Sequence, residues 1–370
     1  MASAGLLLAQ PVDVLAEWMI VLVRWGAAMP GAGWYLHEPV SWWWALAMLG
    51  LMVSFFMGAW KRCPQWGLVL LLLLTARLMM EQYADDMKKA LVQTAVPAEV
   101  RLHMLAVGEG SCLLLRIPDE TQADGEHTLM FDCGSRSYLE LGTGTVVPAL
   151  RVMGYGEIDT LMISHVDLDH LSGTLDLAEQ LPVRRLLVTP QFVREVETRP
   201  HSPAGYLLEE WQARNREHGV IEQGWKAKIG SAELELLWPL GERVLARSND
   251  TSMVLSILVG DKRVLLTGDI ADEAIEGLLA SGLDLQADVM ELPHHGSFTE
   301  RSIDWLQAVQ PELVLQSCGP GRIIDDPWKE VLTERSIHRL ITRRDGMLSV
   351  VLQPDVKGEQ SLRWETFRQE

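Results

Sequence analysis

The pattern of apolar residues divides the chain into two regions with different periodicity. Residues 41–60 carry no charged side chain, and residues 66–80 are interrupted only by Arg77. A helix of about 20 apolar residues crosses a hydrocarbon core of roughly 30 Å. The pattern therefore predicts a transmembrane hairpin with helices at about 41–60 and 66–80, followed by a polar connector at 81–98.

An amphipathic segment precedes the predicted hairpin. Leu15, Trp18, Leu22 and Trp25 recur at steps of three and four residues, which is the spacing of one helix face. Charged residues interrupt the pattern, so it predicts an interfacial helix at about 13–28 that lies on the membrane surface.

Tryptophan and charge refine this membrane region, residues 1–98. Eight of the 14 tryptophans lie before residue 67, as expected of indole rings at headgroup level; an aromatic soluble core is the alternative. Lys61 and Arg62 separate the two hairpin arms. Because positive charge favours the cytoplasmic side, the rest of the chain is expected on the outer, periplasmic side of the inner membrane.

From residue 99 to residue 370 the pattern changes to short apolar runs that alternate with helical periodicity. Strands are predicted at 100–107, 112–117, 128–131, 159–163, 185–188, 233–237, 252–259, 263–266, 288–292, 313–316 and 347–352. Helices are predicted at 145–153, 205–218, 271–280, 301–308 and 327–335. Paired strands alternating with helices predict an α/β domain, an αββα sandwich of two sheets with outer helices.

Charge and cysteine content narrow the possible functions. The 370-residue chain has a formal net charge of −18, which argues against a general nucleic-acid coat, because phosphate binding relies on basic surface. The four cysteines form no zinc-ribbon spacing. Cys112 and Cys133 flank a predicted hairpin. They are expected to form either a disulfide or two unlinked buried thiols.

Four polar clusters follow predicted strands, and they carry the candidate chemistry. They are 132–134 (Asp-Cys-Gly), 164–173 (Ser-His-Val-Asp-Leu-Asp-His-Leu-Ser-Gly), 267–269 (Thr-Gly-Asp) and 293–297 (Pro-His-His-Gly-Ser). Imidazole and carboxylate groups are suitable ligands for zinc or manganese. Taken singly, each cluster could be a turn, a helix cap or core histidines; their joint occurrence after strands predicts a site for one or two divalent ions.

These motifs resemble the metallo-β-lactamase-like domain of the ComEC family of competence DNA-uptake proteins. The resemblance rests on 107–110 (Val-Gly-Glu-Gly), 131–134, 147–151 (Val-Pro-Ala-Leu-Arg), 164–173, 266–269 and 293–297. It covers residues 99 to the end together with the preceding hairpin. It implies an αββα domain outside the membrane that degrades one strand of incoming DNA.

The resemblance also implies roles for individual residues. Metal ligands would come from His165, Asp167, Asp169, His170, Asp269, His294 and His295. Asp167, Asp169 and Asp269 would be catalytic, with Asp269 either bridging two ions or completing the site. Asp132 would orient ligands without touching the metal. Between the two adjacent histidines the preference is narrowly for His294.

Substrate contacts are expected from residues beside these motifs. Many hydrolases of this fold carry a third-motif histidine at the position of Asn249 and Asp250. One of these two residues is expected to bind substrate; the alternative is that it caps a strand. Ser297 and Arg343 are the other candidates; a solvated strand edge is the alternative for Arg343. Because Asp167 replaces a second histidine, one metal position is expected to be weak or empty.

Two departures from the family pattern leave other functions open. Gly110-Ser111 replaces a Gly-Asp pair, and Asp325-Asp326-Pro327 replaces a Gly-His-Pro. The leading hypothesis is a membrane-anchored, metal-dependent phosphodiesterase or nuclease acting on DNA during uptake. Its expected partners are DNA, membrane lipid and other membrane subunits of an uptake channel. The alternatives are a non-catalytic DNA- or protein-binding module, and a hydrolase of a small phosphodiester or lactone.

Overall fold

The computed structural model describes residues 99–122, 125–241, 244–353 and 361–368. The predicted interfacial helix, transmembrane hairpin and connector all lie in residues 1–98, outside the described residues, and stay predictions. Among the helices of the described ranges, none combines the length and apolar character that a membrane crossing requires. The chain divides into two units between Lys88 and Lys89, and every described residue belongs to the second.

Fifteen strands form two sheets in the described part of the chain. The first sheet has the order β15-β14-β1-β2-β3-β4-β5-β6 and the second has the order β13-β12-β11-β10-β9-β8-β7. The strands are β1 Val100–Met104, β2 Leu113–Pro118, β3 Glu126–Phe131, β4 Ile158–Met162, β5 Val183–Val188, β6 His218–Val220, β7 Lys226–Ile229, β8 Ala232–Trp238, β9 Val254–Val259, β10 Lys262–Leu266, β11 Val289–Glu291, β12 Leu313–Gln316, β13 His338–Ile341, β14 Leu348–Leu352 and β15 Leu362–Thr366.

Helices cover the outer face of each sheet. The α-helices are α1 Val147–Val152, α2 Leu168–Leu171, α3 Thr174–Gln180, α4 Pro190–Thr198, α5 Pro203–Ala213, α6 Asp272–Ala280, α7 Ser302–Val309, α8 Trp328–Glu334 and α9 Thr342–Asp345, with a helical turn at Pro293–Gly296. A π-helix covers Gly142–Val146, and 3₁₀ turns cover Asn249–Thr251 and Pro320–Ile323.

Three apolar layers hold this architecture together. Between the sheets, side chains such as Leu115 and Phe131 pack with Leu255 and Val264 from the facing sheet. Alternate residues of the same strands point outward, and they pack under the helices on each side. Burial of both sheet faces therefore produces four layers, and the predicted αββα sandwich is confirmed.

Parallel strands bring the four polar clusters to one edge. β3 pairs with β4 in parallel, with Phe131 opposite Met162, and β10 pairs with β11 in parallel, with Leu265 opposite Met290. The carboxyl ends of parallel strands lie at the same edge, where loops carry function. The segments that follow these four strands are the four clusters singled out in the sequence.

The hairpin cysteines are neighbours in the core. Cys112 and Cys133 are buried free thiols, so the second of the two alternatives describes this structure. A hydrogen bond between the two thiols, together with burial, holds the pKa of Cys112 well above its ordinary value.

Candidate metal centre

Asp132 organises the floor of the site from beneath. It follows β3 with a φ of 61°, a left-handed conformation that Asp tolerates better than most residues. Its carboxylate accepts hydrogen bonds from the Ser164 amide at 2.7 Å, from the Ser164 hydroxyl at 2.8 Å and from His170 Nδ1 at 2.7 Å. With Nδ1 engaged, Nε2 of His170 is the nitrogen left for a cation; the orienting role of Asp132 stays a prediction.

Four side chains from three loops converge above this floor. One ligand atom from each of Asp169, His170, Asp269 and His295 lies within 4.8 Å of the other three. His170 Nε2 is 3.1 Å from Asp269 Oδ1. His295 Nε2 is 3.5 Å from the same oxygen and 3.6 Å from Asp169 Oδ2. We call these four residues the closed side of the centre.

The closed side has the donor set and the vacant atoms that a divalent ion requires. On the closed side, Nε2 of His170 and His295 and Oδ1 of Asp169 and Asp269 are buried without a hydrogen-bond partner. The same is true of Nε2 of the neighbouring His165. Even the 3.1 Å contact between His170 and Asp269 lacks hydrogen-bond geometry. Buried polar atoms are normally satisfied, so five orphaned nitrogen and oxygen atoms at one place fit zinc, manganese or iron.

The electrostatics of the closed side favour a cation. Burial alone would lower the pKa of His170, but the Asp269 and Asp132 carboxylates outweigh burial and hold it well above its ordinary value. Burial would likewise raise the pKa of Asp269, but His170 and His295 hold it well below the usual range. Asp269 is therefore charged at neutral pH, and an ion binding here displaces a proton from His170.

A second group of candidate ligands, which we call the open side, consists of His165, Asp167, Asn249 and His294. His165 is buried, and that burial lowers its pKa to about 3, so its imidazole is neutral. Its Nε2 lies 3.8 Å from Asp167 Oδ2. The Asn249 amide contacts Asp269 Oδ2 at 3.5 Å and His294 Nε2 at 3.3 Å.

Asp269 stands between the two sides. Its Oδ1 faces His170 and His295 on the closed side, whereas Oδ2 lies 3.8 Å from His294 Nε2 on the open side. One oxygen toward each side is the arrangement that a bridging carboxylate needs. His295 lies in the closed cluster and His294 lies outside it. This is the reverse of the narrow preference for His294 drawn from the sequence. The ligand role of each histidine stays a prediction.

The turn that carries both histidines is held by side chains that sequence reasoning missed. His294 and His295 have φ values of 50° and 56°. Gln316 Nε2 donates to the His295 carbonyl at 2.9 Å, and Arg339 Nε donates to Gln316 Oε1 at 2.8 Å. Ser317 accepts from His295 Nδ1 at 3.2 Å through its carbonyl oxygen, which directs Nε2 into the centre.

One departure from the family pattern belongs to this support. Asp326 Oδ2 accepts from Arg339 Nη1 at 2.5 Å, and Asp326 Oδ1 accepts from the Trp328 amide at 3.1 Å. Trp328 Nε1 in turn donates to the Gly296 carbonyl at 2.9 Å. In this structure Asp326 therefore helps to hold the histidine turn.

The other departure, Ser111, is connected to a buried acid. Glu291 accepts hydrogen bonds from the Thr267 amide at 2.9 Å, the Gly268 amide at 3.1 Å and the Ser111 hydroxyl at 3.2 Å. Burial, with the nearby Asp132 charge, raises the pKa of Glu291 to about 7. Glu291 thus fixes the loop that presents Asp269, a role that its place inside an apolar strand gave no signal for.

The proposed substrate contacts are not all brought to the site. Asn249 lines the cavity above the centre, but Asp250 is buried and accepts from the Ala271 and Ala274 amides, so it caps α6. Ser297 and Arg343 do not line that cavity among the described residues. The cavity has a volume of about 520 Å³ and is lined by Glu109, Arg136, Asp167, Asp169, Asn249, Asp269, His294, His295, Gly319, Gly321 and Arg322.

Known proteins share this domain. The family described as the metallo-beta-lactamase superfamily matches residues 105–319. ComE operon protein 3 of Bacillus subtilis is 24% identical over 70% of this chain and 34% of its own length. Competence protein ComA of Neisseria gonorrhoeae is 28% identical over 66% of this chain and 31% of its own. The chain thus spans about a third of the length of these curated relatives.

Among solved structures, the metallo-beta-lactamase fold protein YhfI from Bacillus subtilis is 15% identical. The match covers 67% of this chain and 98% of that protein, with a TM-score of 0.43. The superfamily consists generally of metal-dependent hydrolases, and its fold binds divalent metals. The two competence relatives confirm the resemblance to the ComEC family seen in the motifs. The match over residues 105–319 shows that this chain belongs to the metallo-beta-lactamase superfamily.

Proposed function

We propose that this chain is a metal-dependent phosphodiesterase that cleaves DNA during competence-associated uptake. The observation that carries the proposal is the cluster of orphaned ligand atoms on Asp169, His170, Asp269 and His295, which borders an open cavity. The names of two relatives, a ComE operon protein and a competence protein, support the biological setting.

The residues divide the chemical work between them. Asp169, His170, Asp269 and His295 would hold one ion; Asp269 Oδ2, with His165 and Asp167, would hold a second. When bound, such ions supply Lewis-acid activation of a phosphoryl group. Asp167 lines the cavity and is partly exposed, so its carboxylate can accept a proton from an attacking water molecule.

A metal and activity assay on the full chain in detergent tests this function. We expect stoichiometric zinc, manganese or iron by mass spectrometry after reconstitution, and DNA cleavage that chelation abolishes and metal restores. Asp169→Ala should lose cleavage, whereas Asp304→Ala, at a half-exposed position of α7, should keep it. Equal and metal-insensitive rates in both variants would favour a non-catalytic binding module instead.

A small phosphodiester is the second candidate substrate, because the net charge of −18 repels long DNA outside a local attractive region. Competition between short DNA and bis(4-nitrophenyl) phosphate separates the two. If short DNA inhibits hydrolysis of bis(4-nitrophenyl) phosphate at low salt, the result supports DNA as the substrate. If it does not inhibit, the result supports the small phosphodiester.

The same proposal puts residues 1–98 in the inner membrane, with the catalytic domain on the periplasmic side and with channel subunits as partners. Alkaline extraction of cell membranes tests the anchor. Labelling of a cysteine introduced at exposed Lys329 by an impermeant reagent in intact spheroplasts tests the side. Extraction into the soluble fraction would contradict the anchor, and protection from the reagent would contradict the orientation.

A further inference from the structure

Two arginines line the cavity above the metal centre, and the other charged side chains of its lining are carboxylates. Arg136 and Arg322 line the cavity above the centre, together with Glu109, Asp167, Asp169 and Asp269. Arg322 lies close enough to His294 for its charge to contribute to lowering the pKa of that histidine. Both guanidinium groups therefore belong to the surface that a substrate meets.

The charge of this cavity depends on its ions. Four carboxylates and two guanidinium groups give its lining a formal charge of −2. Two divalent ions would bring the lining to +2. The cavity then attracts an anion although the whole chain carries −18, because nearby charges outweigh distant, screened ones.

Arg322 has fewer partners than Arg136 among the described side chains. Within the described ranges it makes no ion pair or hydrogen bond, whereas Arg301 and Arg339 pair with Glu276 and Asp326. Arg136 lies 3.1 Å from Asp169 Oδ1 and 4.0 Å from Asp167 Oδ2, and these are two carboxylates that bound ions would neutralise. Both guanidinium groups are thus available to a ligand once the centre is loaded.

Several exposed apolar side chains lie close in sequence to residues that line the same cavity. Six of the twelve exposed large hydrophobic residues in the described part lie within three positions of a cavity-lining residue: Tyr138, Leu139, Leu168, Phe298, Ile323 and Ile324. Of all described residues, well under half lie within three positions of a cavity-lining residue, so exposed hydrophobic residues are enriched there. Flat apolar groups are therefore expected on the ligand beside its anionic ones, a combination that unpaired bases on a phosphodiester backbone provide.

Resting on the proposed function, we propose that Arg136 and Arg322 form a subsite for a backbone phosphate of a single-stranded polynucleotide. The rings of Tyr138 and Phe298 contact its unpaired bases. Phosphate accepts charge-assisted hydrogen bonds from guanidinium groups, and bases of any sequence stack on aromatic rings. The subsite gives affinity and placement without base-specific recognition.

Fluorescence anisotropy on the reconstituted full chain tests the arginine part, with a labelled phosphorothioate oligothymidylate as the probe. Arg322→Ala should weaken binding about tenfold at low salt. It should also reduce the slope of log affinity against log salt by about 0.7. Arg335→Ala, which removes the same charge at the end of α8 outside the cavity, should change neither. Unchanged binding in Arg322→Ala, or an equal loss in both variants, would overturn the subsite.

An abasic oligomer of the same length tests the aromatic part. Phe298→Leu keeps an apolar contact with Trp328, whose ring lies 5.0 Å from that of Phe298, and Tyr138→Ala alters only an exposed side chain. Both variants should bind oligothymidylate about five- to tenfold more weakly and the abasic oligomer as well as wild type. Equal losses for the two probes would overturn base contact.

Hydrolysis of bis(4-nitrophenyl) phosphate separates this inference from the proposed function. If wild type and Arg322→Ala hydrolyse it alike and bind the oligonucleotide alike, the phosphodiesterase stands and the subsite is wrong. If binding depends on Arg322 but no phosphodiester is cleaved, the subsite stands and the phosphodiesterase is wrong.

Discussion

The closed and open sides of the metal centre differ in how firmly their ligands are held. On the closed side, His170 and His295 each have Nδ1 engaged by a fixed acceptor, Asp132 or the Ser317 carbonyl, and their Nε2 atoms are left without partners. On the open side, Asp167 and His294 are partly exposed, and His294 contacts the Asn249 amide. Ligands that are already held in place lose less conformational entropy when they bind an ion. We therefore expect the closed side to bind its ion first and more tightly.

The largest effect is expected where the two sides meet. Asp269→Asn removes the charge that both sides share and should lower the rate of DNA cleavage about 10³-fold or more, since a metal ion contributes several kcal/mol. Bound metal, measured by mass spectrometry after gel filtration, should fall on both sides. Asp250→Asn is the matched control, because that buried carboxylate caps α6; loss of metal in the control would contradict the assignment.

The two adjacent histidines give the most direct test of the comparison. His295→Ala should weaken metal binding and cleavage by about 10²-fold, because it removes a buried ligand of the tight set. His294→Ala should reduce metal binding and cleavage by about tenfold or less, since the open side binds its ion weakly. Titration with a chelating dye measures both affinities. A larger loss in His294→Ala would reverse the comparison and restore the preference drawn from sequence.

A smaller effect is expected beneath the closed side. Asp132→Asn keeps the shape and the tolerance for a left-handed backbone, but it weakens the orientation of His170. Metal affinity should fall about 10- to 100-fold. The first, tight binding event in calorimetry should weaken while the second is little changed. A selective loss of the second event would show that Asp132 does not serve the closed side.

The smallest effect on catalysis, and a distinct effect on stability, is expected at Glu291. Burial raises its pKa from 4.5 to about 7, so folding favours its protonated form. The resulting stabilisation is complete below pH about 4.5 and is lost as pH rises through about 7, by up to about 3 kcal/mol. Glu291→Gln can still accept from the two amides and donate to Ser111.

Denaturant unfolding of the metal-free protein between pH 5 and pH 8 checks this expectation. The wild type should lose stability across this range, and Glu291→Gln should show a flatter profile with cleavage changed only a few-fold. Parallel pH profiles for the two proteins would exclude Glu291 as the titrating group.

Much of the fold follows from local patterns, although the helices α3 and α4 were not predicted. Several of the other errors fall where tertiary pairing decides. Long apolar strands such as β2 and β9 were predicted within two residues. The helix predicted at 205–218 ends at Ala213 instead, because His218 begins β6 and pairs with Leu186. The short strands β7, β13 and β15 were missed, since each is partly exposed and gains its identity from the neighbouring strand.

For the centre, the sequence by itself determined the chemistry: strand-end histidines and aspartates, spaced so that parallel strands carry them to one edge. Only the tertiary structure decided which imidazole enters the tight cluster. That choice depends on two left-handed residues and on partners such as Gln316, which contacts His295 from 21 residues away. Periodicity reports local geometry, whereas the orientation of a ligand is set by hydrogen bonds between distant segments, and these exist only once both sheets have packed.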